Sequence, residues 1–496
     1  MPPVPAQPCP EASRTHPTYL PARRLRPAST GTMGSVQHFD LCVIGSGSGN
    51  TIIDHRFADL KIALVEPGRF GGTCLNVGCI PSKMYVYPAG LARTPQHARP
   101  LGVDLELVRT RWPDIRDRIF GRIDQDSAEG RKYRVESDNV TVFDRRCHFA
   151  GPKQLTIGAE TITADKFVVA AGSRPVIPQV AGLDSVPYHT SDTVMRLAEL
   201  PGRMVIMGGG YVAAEFAHVF SALGAAVTLV NRTDRLLRKE DDEIATRFTE
   251  QLSQRVDVRL ETGLTAVETG DSGAVRVVLD GPGGPSQLVT EVLLVATGRI
   301  PNGDTLDLPA AGIEADDQGR IVVDEYQRTT ADGIFALGDV STHFPLKHVA
   351  NEEARTVQYN LLNPAAMVAT DHRYVPHAVF SEPQIAAVGL TEAEAKEQGI
   401  DYRVGRQDYG ETAYGWAMED TEHFVKVIAD AGSGLLVGAH LIGPQASSLI
   451  QPLVQAMSFG QRPIDVARGQ YWIHPAMAEV VENALLDLGE PEQWGT

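Results

Sequence analysis

At 496 residues the chain has room for about three or four domains. Its 43% hydrophobic and 22% charged residues describe a folded protein rather than a disordered or collagenous one. A net charge of −17 argues against a nucleic-acid partner, because phosphate binding relies on clustered Lys and Arg.

The five cysteines, Cys9, Cys42, Cys74, Cys79 and Cys147, are too few and too uneven for the disulfide framework of a small secreted domain. No apolar run approaches the ~20 residues needed to span a bilayer, and the amino terminus has no signal-peptide core. A soluble, cytoplasmic protein with no membrane partner is expected.

Residues 1–37 are rich in Pro, Ala, Ser and Arg without apolar periodicity, and read as a disordered extension; Met33 offers an alternative start. Next comes the strand pattern Phe39–Ile44, then the turn Gly45-Ser46-Gly47-Ser48-Gly49-Asn50, expected to open a helix. Backbone N–H groups of such a turn face a pyrophosphate. Glu66, 21 residues beyond Gly45 at the end of the next strand, suits a ribose hydroxyl. Asn50 occupies the third glycine position and is expected to crowd helix against strand.

The same arrangement recurs over roughly 203–232. Gly208, Gly210 and Ala213 match the glycine fingerprint, and Tyr211 follows the turn. The next strand ends at Val230-Asn231-Arg232, where an acidic reader of NAD is missing. Arg232 with Arg238 suits a 2′-phosphate, so NADPH is favoured over NADH, although surface arginines are commonly just solvated. The runs 167–172 and 292–298 read as buried strands closing each unit, and from Tyr374 the pattern shifts to short alternating strands with helical stretches near 446–460 and 476–487. The fold class expected is α/β, with two Rossmann-like dinucleotide-binding domains and a C-terminal α+β domain.

The segment Gly71–Lys83 carries two cysteines five positions apart, Cys74 and Cys79, which suit alternation between dithiol and disulfide. A zinc site needs two further Cys or His ligands at short spacing, and none follow, so no metal is expected. Cys42 and Cys147 read as inert core thiols. His474-Pro475, with Glu479 five residues on, is a candidate acid–base pair, though a histidine in such a segment is by itself more often structural.

Taken together, these segments resemble the glutathione reductase and lipoamide dehydrogenase family, the class I pyridine nucleotide-disulfide oxidoreductases, over about residues 38–488. The resemblance implies FAD and NADPH as cofactors and a homodimer. It also implies an order of domains: FAD-binding 38–182, NADPH-binding 183–298, central 299–372 completing the FAD site, and interface 373–496. Gly45, Gly47, Gly49, Glu66, Gly72, Thr73 and Asp339 would hold FAD; Gly208, Gly210, Tyr211, Arg232 and Arg238 would hold NADPH. Cys79 would lie against the flavin as the charge-transfer thiolate, and Cys74 would attack the substrate. Lys83 and Glu215 would pair near the flavin. His474, held by Glu479, would act on Cys74 of the other subunit.

Within the family, residues 45–50, 413–420 and 469–475 resemble the mycothione reductase branch. That implies a small-molecule disulfide, mycothiol disulfide, as substrate. Mycothiol is a sugar–inositol–cysteine conjugate. Lipoamide dehydrogenase or another low-molecular-weight disulfide reductase is the alternative. A silent flavoprotein scaffold is disfavoured by retention of Cys74, Cys79, His474 and Glu479. Mercuric reductases and large thioredoxin reductases carry a late cysteine pair, whereas no cysteine here follows Cys147.

Overall fold

The computed structural model describes residues 36–489. The expected amino-terminal extension lies outside the described residues except for its last two positions, and Gln37 already begins the first strand.

The first sheet is built from β1 (Gln37–Ile44), β2 (Ile62–Val65), β3 (Val140–Phe143), β4 (Cys147–Gly151), β5 (Gln154–Ile157) and β6 (Glu160–Val169). Their spatial order is β3-β2-β1-β6-β5-β4. β1 runs parallel to β2 and β6, as a strand buried on both faces does when its sequence is a near-continuous apolar run. A distant strand, Ile334–Ala336, adds to β6 in parallel and delivers the segment that follows it to the same sheet end.

A second sheet of four parallel strands has the order 257–259, 226–230, 203–207, 292–295. Its crossover helix, Tyr211–Leu223, is buried along most of its length, and Gly224 ends it in a left-handed conformation. The two units repeat one device. A Cβ on Gly45 would meet the Ala170 carbonyl oxygen at 2.3 Å, and one on Gly208 would meet that of Ala296 at 2.2 Å. Both positions also have positive φ, so glycine is required twice over.

The first unit departs from the expected strand–turn–helix. After the turn come only two short 3-10 segments, Gly49–Ile52 and His55–Phe57. Thr51, Ile52 and Ile53 are three consecutive β-branched residues, poor helix formers, and the Asp54 side chain accepts from Arg56 N–H in a competing local turn. The carbonyls thereby freed from a helical ladder are satisfied from outside. Arg134, buried on α3 (Trp112–Val135), donates to the Asn50 and Ile53 carbonyls at 2.9 and 2.8 Å and to Asn50 Oδ1 at 2.7 Å. The expected crowding at Asn50 does not arise, because its side chain turns toward Arg134. Gly49 makes the close approach instead: an added Cβ would lie 2.6 Å from the Ala170 Cβ.

The third part is a five-stranded antiparallel sheet, in the order 377–379, 385–389, 436–442, 424–430, 402–408. Helices Gln451–Ser458 and Glu479–Asp487 cover one face of it with an apolar core. Buried Lys426 of this sheet bonds Asp241 at 3.0 Å and Glu392 at 2.6 Å, which ties the sheet to the second unit.

Replacing Arg134 with Met leaves the buried Ile53 carbonyl without its Arg134 donor and the Asn50 carbonyl with only the 3.4 Å bond from Ile53 N–H. The expected result is a loss of stability on the order of 1–3 kcal/mol, measured by denaturant unfolding; an unchanged midpoint would remove Arg134 from this account.

Candidate active site

The carboxyl end of the first sheet opens into a cavity of about 890 Å³, within the roughly 300–1,000 Å³ typical of cofactor sites. Its floor is the glycine turn, with Gly45 and Gly47 on the wall and Gly49 packed behind it. Glu66, Gly72 and Thr73 line one side. Glu66 accepts from Ser46 N–H at 3.0 Å, Ser46 Oγ at 2.7 Å and Gly68 N–H at 2.9 Å, so its carboxylate is fixed at the end of β2.

The opposite wall comes from a later part of the chain. Asp339 sits in a 3-10 turn just beyond strand Ile334–Ala336, and its Oδ2 accepts from Ser173 Oγ at 2.6 Å. Ser173 in turn accepts from Arg299 Nε at 2.9 Å. Sequence reading missed Ser173 and Arg299. Each stands one position beyond the glycine that follows a buried strand, Gly172 and Gly298, and the two short segments there pair antiparallel.

Cys74 and Cys79 both line this cavity. Cys74 lies in α1 (Gly72–Asn76), and Cys79 is the first residue of α2 (Cys79–Ala98). A thiolate at a helix N-terminus is favoured by the free N–H groups and the helix dipole. The hydrogen bond between the two sulfurs brings the Cys79 thiol down to about 6 against the opposing effect of burial; Lys83 and the Cys79 amide also lower it, while Glu215 raises it. The same hydrogen bond, then burial, pushes Cys74 well up, whereas Lys347 pulls it down. The pair thus holds one proton on Cys74 and one negative charge on Cys79.

Lys83, one turn along α2, donates to both Glu215 oxygens at 2.9 and 2.7 Å. Glu215 belongs to helix Tyr211–Leu223, is 5% exposed, and also accepts from Phe380 N–H at 3.0 Å. Tyr211 opens that helix and borders the cavity, so the nucleotide turn at Gly208 and Gly210 leads directly to it. Arg232 and Arg238 are exposed and have no ion-pair partner among the described residues. Asn231 is structural: its amide donates to Thr233 and Arg235 and packs against Gly209.

His474 and Glu479 come together but stand apart from the cavity. His474 Nδ1 bonds Glu479 Oε1 at 2.7 Å, and Glu479 Oε2 accepts from Ala476 N–H at 3.1 Å. The bond to His474 holds the Glu479 carboxyl below its usual range. The His474 side chain is 71% exposed and is not on the cavity wall. Tyr471 and Ile473 beside it are also exposed. Within one chain the structure therefore brings together the thiols, Lys83, Glu215, Glu66 and Asp339, but not His474.

A dithiol beside two nucleotide-type turns defines a class of redox proteins, and the comparisons agree. The chain belongs to the pyridine nucleotide-disulphide oxidoreductase family, which it matches over residues 39–354, and residues 375–485 match that family's dimerisation domain. It is 53% identical to a mycothione reductase of Mycobacterium tuberculosis, across 91% of this chain and 100% of that protein. It is 36% identical to a dihydrolipoyl dehydrogenase of Halobacterium salinarum, across 92% and 96% of the two chains. Among solved structures, the Cu(II) complex of the HOCl-induced flavoprotein disulfide reductase RclA from Escherichia coli superposes with a TM-score of 0.80 at 28% identity, covering 91% of this chain and 99% of that one. Among the described residues, no helix is long and apolar enough to cross a membrane and no cluster of metal ligands occurs.

Replacing Lys83 with Met removes a lowering influence on Cys79. The expected outcome is that the pH at which Cys79 ionises in the reduced protein rises from about 6, measured by thiol alkylation followed peptide by peptide. An unmoved or lowered transition would contradict the electrostatics described.

Proposed function

We propose that this chain, as a homodimer, uses FAD and NADPH to reduce mycothiol disulfide to two molecules of mycothiol. The observation that carries the reaction is the Cys74–Cys79 pair on the wall of a nucleotide-sized cavity, with the negative charge held by Cys79. The substrate rests on the likeness to the Mycobacterium tuberculosis protein, which covers 91% of this chain and 100% of that protein.

The glycine turn, Glu66, Gly72, Thr73 and Asp339 suit FAD, because glycine at position 45 lets the turn pack against the Ala170 carbonyl at the cavity floor and because carboxylates stand on opposite walls of the cavity. Bound FAD would carry an electron pair from NADPH to the Cys74–Cys79 disulfide. Arg232 and Arg238, cations without carboxylate partners among the described residues, favour a 2′-phosphate and hence NADPH. Tyr211, at the mouth between the second nucleotide turn and the thiols, would shield the nicotinamide position.

In the dithiol state Cys74 passes its proton to the partner subunit's His474 as its sulfur attacks one sulfur of the substrate. A new S–S bond forms, the substrate S–S bond breaks, and the departing sulfur takes that proton back from the partner subunit's His474. Cys79 thiolate then attacks Cys74, which re-forms the internal disulfide and releases the second thiol, protonated through the same histidine by a proton drawn from solvent. Glu479 orients His474 and stabilises its protonated form. The exposure of His474 and the match to a dimerisation domain both support a site completed across the dimer.

Steady-state oxidation of NADPH and NADH, with mycothiol disulfide, glutathione disulfide and lipoamide offered in parallel, tests the reading. NADPH with mycothiol disulfide is the expected preference. A preference for NADH with lipoamide would overturn the substrate and leave the thiol chemistry standing. Cys74→Ser is expected to abolish disulfide reduction while flavin bleaching by NADPH persists; His474→Ala is expected to lower turnover by ~10²–10⁴.

A further inference from the structure

Each sulfur of the pair answers to a different lysine. The field of Lys83 bears on Cys79, but that ammonium is already matched by both oxygens of Glu215. The field of Lys347 bears on Cys74. Lys347 has no carboxylate partner among the described residues; its ammonium donates to Ser48 Oγ at 2.7 Å, and Ser48 Oγ donates to Asn351 Oδ1 at 3.2 Å.

The placement follows from the helix. Lys347 is the first residue of helix Lys347–Leu362, and a helical side chain leans toward the N-terminus. Lys347 therefore reaches off the helix end and lines the cavity with Cys74 and Ser48. Asn351, one turn on, fixes Ser48, which fixes the ammonium. The charged and titratable groups facing Cys74 are Cys79 and Lys347; those facing Cys79 are Cys74, Lys83 and Glu215.

We propose that Lys347 is a positioning residue that holds negative charge on Cys74 when that sulfur attacks the substrate disulfide. The proposal rests on the reading above in which Cys74 is the attacking sulfur. In that step the Cys74 lone pair forms the new S–S bond, the substrate S–S bond breaks, and its electron pair leaves on the departing sulfur. At rest the charge of the pair belongs to Cys79, where the helix N-terminus and Lys83 hold it. Attack needs negative charge on Cys74 as well, and an ammonium on the same cavity wall without a carboxylate partner among the described residues lowers the cost of placing it there.

The experiment uses the FAD-loaded enzyme, reduced by NADPH and treated with iodoacetamide over a range of pH, with alkylation of Cys74 and Cys79 counted separately by peptide mass. Lys347→Met is expected to shift the Cys74 profile upward by about one pH unit, Lys347→Arg to restore it, and FAD content to remain that of the unaltered enzyme. A Cys74 profile in Lys347→Met that coincides with the unaltered enzyme would overturn the proposal. So would loss of FAD in both Lys347→Met and Ser48→Ala without a shift, since Lys347 would then serve only the shape of the glycine turn. A substrate mixed disulfide trapped on Cys79 rather than on Cys74 would instead sink the assignment of the attacking sulfur, a failure recognisable without any change at Lys347.

Discussion

Two thiols that share one proton impose the constraint on which the rest of the site depends. In the proposed reaction Cys79 carries the charge at rest and Cys74 has to become charged to attack, so the surroundings cannot favour either one absolutely. Cys79 gains its preference from the start of α2, from the hydrogen bond with Cys74 and from Lys83. Glu215 limits that preference and also binds the fold together. Its carboxylate accepts from Lys83 in α2 and from the Phe380 amide near the antiparallel sheet, while its own helix belongs to the second nucleotide unit. One buried carboxylate thus fixes the distance between the thiols, the second nucleotide turn and the C-terminal part of the chain.

The same geometry leaves the chemistry unfinished in a single chain. Disulfide exchange needs a proton donor for the departing sulfur, and among the described residues no histidine lines the cavity. His474 has the required orienting carboxylate, held in turn by the Ala476 amide, yet it faces outward beside exposed Tyr471 and Ile473. An oriented but solvent-facing histidine makes chemical sense when a second copy of the chain brings its own cavity to it. On this account dimerisation is a condition of turnover, and the antiparallel sheet exists in part to present that histidine.

Much of this was legible in the sequence because it is written locally. Continuous apolar runs announced the parallel strands, two glycine turns announced the nucleotide units, and two cysteines within six residues announced the redox pair. What escaped is non-local. The three β-branched residues after Gly49 weaken a helix, but only Arg134, 84 residues from Asn50, explains how the exposed carbonyls are satisfied. Asn50 looked like an obstruction because the motif alone does not tell which glycine touches the strand; Gly49 does. Ser173 and Arg299 reach the site through the pairing of distant segments, and Lys347 reaches it from the start of a remote helix. Conversely, the pairing of His474 with Glu479 was readable from five residues, while its distance from the cavity of its own chain was not.

The central claim is that each active site takes Cys74 from one subunit and His474 from the other, and subunit mixing tests it directly. Cys74→Ser and His474→Ala homodimers, dissociated together and allowed to reassociate, form mixed dimers in which one site has both functional residues and the other has neither. The account predicts recovery of disulfide reductase activity to about one quarter of the unaltered enzyme, half of the dimers being mixed and each having one working site of two. If the mixture stays as inactive as its two parents while mixed dimers are demonstrably present, His474 does not act across the interface and the account is wrong.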